Sequence, residues 1–128
     1  MRPMEPEIWR QEMTVGTVRE VRFSFDHDGE TVPGLLAVPE KAEGPLPFVL
    51  IQHPATSSKD DYFVRDVAIE WARRGWICGG LDAPRHGDRV PYDPMGLLRD
   101  RDVFPALAER FAAEASAAID RLAPLYPL

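Results

Sequence analysis

The sequence predicts a single α/β domain with elements in the order β-β-β-α-β-α. Three observations carry this. Residues 18–25 set an apolar face against polar residues, and Thr31 to Val38 reads as the return strand beyond a His27-Asp28-Gly29 turn, the pattern of a hairpin. Residues 48–81 read as strand, helix, strand, which implies a parallel pair joined by a right-handed crossover. Residues 104–122 carry one long apolar stripe at helical spacing. With 128 residues, 45% of them apolar, the chain has material for one core.

The elements follow in order. Residues 1–14 are polar and hold Pro3 and Pro6, so a loose start is expected, with residues 15–128 forming the domain. Val21, Phe23 and Phe25 form the apolar face of the first strand, and Thr31 to Val38 returns antiparallel to it. Pro33 lacks a ladder donor, which places this pair near a sheet edge. After a Pro- and Gly-containing loop, Phe48 to Ile51 is continuously apolar, as expected of a strand buried on both faces. Asp60 or Ser58 is the expected cap of a helix over about 61–74, with Phe63, Val67 and Trp71 on its apolar line and Val64 and Ala68 beside them. Gly75 suits the position after that helix. Trp76 to Leu81 is the next strand. Residues 90–103 read as irregular. Phe104, Leu107, Ala108, Phe111, Ala115, Ala118, Ile119 and Leu122 form the stripe of the last helix, with Glu109, Arg110, Glu114, Asp120 and Arg121 largely off it.

Charge and cysteine content exclude several classes. Fifteen basic and twenty-one acidic residues give a net charge of −6. Nucleic-acid binding needs clustered positive charge to displace counterions, and attraction to an anionic membrane needs the same sign. Neither partner is expected. Cys78 is the only cysteine, so neither an intrachain disulfide nor a Cys-based zinc site can form. No signal peptide follows Met1, and no apolar run approaches a membrane span. A soluble cytoplasmic protein is the expectation.

Chemistry in a parallel sheet gathers beyond the carboxyl ends of its strands. Two polar loops leave such ends here, residues 52–59 and 82–89. The first joins a strand to a helix N-terminus and can offer backbone N–H groups to an oxyanion, or be an ordinary connection. Pro54 has no N–H, so Ala55 and Thr56 are the candidate donors. His53 and His86 read as base, metal ligand or hydrogen-bonded loop residue. His86 has Asp82 and Asp88 close in sequence, but no helix fixes a metal geometry, and no metal is expected. Of the serines Ser24, Ser57, Ser58 and Ser116, none sits in G-x-S-x-G, the strained turn that exposes a nucleophile over a sheet. No catalytic residue is assigned.

These loops carry a resemblance. Residues 48–60, Phe-Val-Leu-Ile-Gln-His-Pro-Ala-Thr-Ser-Ser-Lys-Asp, resemble the third strand and oxyanion loop of the α/β-hydrolase family. Residues 71–76, Trp-Ala-Arg-Arg-Gly-Trp, resemble the end of its first helix. Residues 81–89, Leu-Asp-Ala-Pro-Arg-His-Gly-Asp-Arg, resemble its Asp-x-x-x-His-Gly loop. The match is most similar to the small esterase and dienelactone-hydrolase-like branch. It implies a partial α/β-hydrolase fold, with sheet order 1-2-4-3 and helices on the sheet faces. It implies that Ala55, beside Thr56, holds the oxyanion-loop position, with His53 supporting that loop. Asp82 and His86 would shape the neighbouring loop. No cofactor is implied, and the substrate class is a small acyl ester. Pro54 stands where the family has glycine.

The family's nucleophile, acid and catalytic histidine come later in chain order than Leu128. The expectation is therefore the N-terminal half of a hydrolase, inactive alone. Its 48–52 edge strand would be covered by a missing C-terminal half or by a homo-oligomer. A non-enzymatic association module using that edge is the alternative.

Overall fold

The computed structural model describes residues 8–128. The part of the loose-start expectation that concerns residues 1–7 lies outside the described residues. The elements are β1 (Trp9–Val15), β2 (Val18–His27), β3 (Glu30–Pro39), β4 (Phe48–Leu50), α1 (Tyr62–Arg73), β5 (Ile77–Leu81), α2 (Gly96–Arg99) and α3 (Phe104–Leu122), with one 3-10 turn at Arg101–Val103.

Five strands form one mixed sheet in the order β1-β2-β3-β5-β4. Only β4 and β5 are parallel; the other pairs run antiparallel. The expected four-strand order 1-2-4-3 is corrected by an additional strand at the edge. That strand, β1, lies where a loose start is expected. Six of its seven residues are exposed, so no period-2 burial pattern marks it in the sequence. Tertiary contacts hold it instead. It pairs with β2 along its whole length. The Tyr126 hydroxyl from the C-terminal tail donates to Glu12 (2.6 Å) and accepts from Arg10 (3.1 Å).

The β2–β3 hairpin closes through Asp28 and Gly29, both at positive φ (47° and 81°), the geometry of a type I′ turn. Pro33 is not near a sheet edge, because β3 lies between β2 and β5. It sits one residue past the β3–β5 ladder, which starts at Gly34 and Leu81, so its missing donor breaks no bond of that ladder.

Each face of the sheet has its own helix. On one face Val21, Phe23, Leu36, Ile77 and Leu81 pack with Ala118 and Leu122 of α3 and with Tyr126. On the other, Val18, Ala37 and Cys78 pack with Ala68 and Ala72 of α1. The buried line of α1 is Val64-Ala68-Ala72, one residue on from the expected Phe63-Val67-Trp71, and Trp71 is exposed. Small residues win this face because helix and sheet come very close. A Cβ on Gly80 would lie 2.8 Å from the Val64 side chain. The α1 cap is Asp61, not Asp60 or Ser58.

The α3 stripe is also corrected. Phe104 and Ile119 are exposed, whereas Glu114, expected off the stripe, is fully buried. The segment expected to be irregular contains α2 and the 3-10 turn. No helix among the described residues is long and apolar enough to cross a membrane.

Candidate functional site

The 52–61 and 82–89 loops meet at the carboxyl ends of β4 and β5, and two histidines tie them together. The Ala83 N–H donates to His53 Nε2 (3.0 Å), and His53 Nδ1 faces the Pro54 carbonyl (2.9 Å). In return, the Thr56 N–H donates to His86 Nε2 (3.0 Å), and His86 Nδ1 faces the Pro84 carbonyl (2.9 Å). A nitrogen that accepts an amide carries no proton, so both rings are neutral Nδ1–H tautomers. The rings lie 5.1 Å apart and both are buried. Burial pushes the His53 imidazole below its ordinary pKa, with the neighbouring His86 adding to the effect.

Beneath the histidines, Lys59 is buried and its ammonium donates to Asp82 (2.8 Å), Asp88 (2.8 Å) and Asp60 (3.1 Å). Asp82 is fully buried and its carboxylate is well satisfied. It also accepts from the backbone N–H groups of Lys59 (3.0 Å) and Asp88 (2.9 Å). Burial alone would lower the Lys59 ammonium, but the hydrogen bonds to Asp82 and Asp88 outweigh it and raise the pKa. Gly87, at φ +56°, lies directly against the Asp82 carboxylate, and a Cβ there would sit 2.2 Å from it. Behind this cluster Arg89 makes a bidentate pair with Glu114 (2.8 and 2.9 Å), both side chains fully buried. Glu30 and Arg110 extend that network to the β2–β3 hairpin.

Amide accounting defines what the rim can do. From Thr56 to Asp61 every backbone N–H has a partner inside the loop pair. Pro54 has no N–H. The exposed Ala55 N–H alone on this stretch makes no hydrogen bond among the described residues. Thr56 is therefore corrected as a free donor, because His86 consumes its amide. The two histidines are likewise occupied at Nε2, which leaves no lone pair for a metal in this arrangement. Among the described residues no group of three or more His, Cys, Asp or Glu could hold a metal ion. Ser57 donates to Asp61 and has no imidazole beside it. Cys78 is buried in β5, and burial pushes its thiol up to about 11.

The structure thus brings together His53, Ala55, Thr56, Asp82 and His86. Sequence reasoning missed Lys59, Arg89 and Glu114. The one local signal was the Arg110–Glu114 spacing of four residues, which marks a helical ion pair but not its burial. Beside the rim, Leu50 and Gln52 with Phe104, Ala108, Phe111, Ala112 and Ala115 line an open, mostly apolar groove of about 400 Å3.

No protein-family model matches the chain, and no curated protein matches it. Solved structures do. A cold-adapted esterase from an Arctic intertidal metagenomic library, solved with bound PEG, superposes with a TM-score of 0.66 at 30% identity, covering 88% of this chain and 47% of that one. This chain has a hydrolase-like fold. Acetyl xylan esterases share it at the level of fold. That from Paenibacillus sp. R4 gives a TM-score of 0.57 at 16% identity, covering 69% of this chain and 28% of that one. Acetyl xylan esterase 1 from Thermoanaerobacterium sp. JW/SL YS485 gives 0.57 at 19% identity, covering 67% and 27%. The chain spans about half the length of the cold-adapted esterase it matches.

Proposed function

We propose that this chain supplies the oxyanion side of an esterase of the dienelactone-hydrolase-like type acting on small acyl esters. The observation that carries the reading is the unpaired Ala55 N–H directly before residues 56–61, whose N–H groups are all satisfied within the loop pair. An amide without an internal partner, on an exposed loop residue beyond a strand, is able to stabilise charge on a tetrahedral intermediate, provided it needs no rearrangement as charge develops. His53, Thr56, Asp82 and His86 fix the loop that carries it. The nucleophile comes from outside residues 1–128, and these residues alone do not turn over esters. None of the four serines lies in a nucleophile turn.

The test is fluorophosphonate labelling of the natural protein that carries this chain, with peptide mapping and a p-nitrophenyl acetate assay. Turnover with the label on a serine beyond residue 128 is expected. A label on Ser57 or Ser58 would overturn the assignment of the nucleophile, and absence of both label and turnover would overturn the esterase reading.

A second reading has its own observation. β4 is a sheet edge with a neighbour on one side only, and it borders the apolar groove. Association of the 128-residue chain through this edge, as a homo-oligomer, predicts a dimer in sedimentation, and a monomer at high concentration would remove it.

A further inference from the structure

The two rim loops contain two tight turns of the same unusual kind. In the first, the Ser57 N–H returns to the Pro54 carbonyl (3.2 Å) and Thr56 sits at φ +69°. In the second, the His86 N–H returns to the Ala83 carbonyl (3.0 Å) and Arg85 sits at φ +68°. In both, the third residue alone of the central pair has positive φ, which makes them type II turns. That position calls for glycine. Here it holds a β-branched threonine and an arginine, for which the left-handed region is unfavourable by roughly 1–2 kcal/mol. Left to local preference, each turn would flip its central peptide and become type I.

One side chain touches both central peptides. His86 Nε2 accepts the N–H of the Ala55–Thr56 peptide, and His86 Nδ1–H donates to the carbonyl of the Pro84–Arg85 peptide. In a type I turn that peptide would be rotated by about half a turn, and neither group would face the ring. We propose that His86 is a positioning residue that selects the type II form of both turns, and so fixes which way the Ala55–Thr56 and Pro84–Arg85 peptides face at the rim. His53 does not do this. It bonds the Pro54 carbonyl and the Ala83 N–H, which lie at the first residue of each turn and stay in place in either form. The Ala55 N–H lies in the Pro54–Ala55 peptide, which keeps its place in either form, so the selection of turn type stands apart from the oxyanion reading.

The experiment is NMR on the 15N-labelled 128-residue chain, which needs no activity. In the unaltered chain, nitrogen shifts should show His86 protonated at Nδ1 and bare at Nε2. The Ala55 Hα to Thr56 amide NOE should be strong, as type II requires. His86→Ala should replace it with a strong Ala55 amide to Thr56 amide NOE, and Thr56 amide exchange should rise about tenfold, the worth of one hydrogen bond. Adding Thr56→Gly should restore the type II pattern without the imidazole, because glycine favours positive φ. A ring that merely fills space would not be replaced by a glycine elsewhere. An Nε2–H tautomer, or an unchanged turn in His86→Ala, overturns the inference. So does a lost type II pattern that Thr56→Gly leaves unrestored. If His86→Ala does not fold, the tautomer measurement on the unaltered chain still decides.

Discussion

Two buried charge clusters share the 82–89 loop, and they differ in what they join. Lys59 with Asp82 and Asp88 ties one rim loop to the other. Arg89 with Glu114 ties the second loop to α3, and through Glu30 and Arg110 to the β2–β3 hairpin. The first cluster keeps one carboxylate, Asp88, largely in solvent. The second has its central pair at zero exposure. Breaking a fully buried pair leaves an uncompensated charge that water cannot reach, so the cost depends on what remains inside. The Arg89 pair should therefore govern global stability, and the Lys59 pair the shape of the rim.

The largest expected effect comes from Glu114→Ala. It leaves the Arg89 guanidinium buried with Glu30 as its one remaining carboxylate, at a cost of about 3–5 kcal/mol by urea denaturation. A loss below about 1 kcal/mol would remove the distinction between the clusters. Asp82→Asn should cost less, on the order of 2–3 kcal/mol, because Asp88 and Asp60 stay beside Lys59 and the amide oxygen still accepts one N–H. Its signature is local: faster exchange of the Lys59 and Asp88 amides, with α3 protection unchanged.

Gly87→Ala comes next, at roughly 1–3 kcal/mol, since the new methyl meets the Asp82 carboxylate at a backbone angle that suits glycine. A crystal structure of a stable Gly87→Ala variant with Asp82 unmoved would contradict this. The smallest effect is in pH. The His53 pKa is lowered on folding, so the unfolded chain takes the proton first. Stability from this ring is complete above about pH 6.5, the ordinary value, and is lost as pH falls below it toward the folded value. Denaturation midpoints of the unaltered chain and of His53→Gln should converge on acidification, and parallel pH curves would argue against it. Cys78 offers a control away from both clusters. With its thiol pushed up to about 11 and buried, it should resist iodoacetamide at pH 8 until the chain unfolds.

Much of the fold was legible because one-dimensional patterns report it. Asp28-Gly29 marks a hairpin by its tolerance of positive φ, and the apolar runs at 48–51 and 76–81 mark strands; β5 is buried throughout, whereas β4, expected to be buried on both faces, is half-buried because it lies at the sheet edge. α3 runs over Phe104–Leu122, the span of the sequence stripe. The edge strand β1 left no such pattern, since its order comes from pairing with β2 and from Tyr126, more than a hundred residues away. The site was legible as a place: two polar loops after two strands, with His53, Ala55, Thr56, Asp82 and His86 in them. What each residue does there was not. Thr56 and Ala55 look alike as donors in sequence, and only the position of His86 Nε2 separates the occupied amide from the open one. Lys59, Arg89 and Glu114 read as ordinary solvated charges, because a lysine or glutamate is rarely buried and its partner lies 23 or 25 residues away.

By itself the sequence determined the α/β class, the hairpin, the crossover and the two loops that meet at the rim, since these follow from local periodicity, turn chemistry and chain connectivity. Only the tertiary structure decided which amide is free, which charges are buried, and that one imidazole holds both turns. Those are properties of distances between residues remote in the chain, and hydrogen bonds and desolvation act on distance, not on sequence separation.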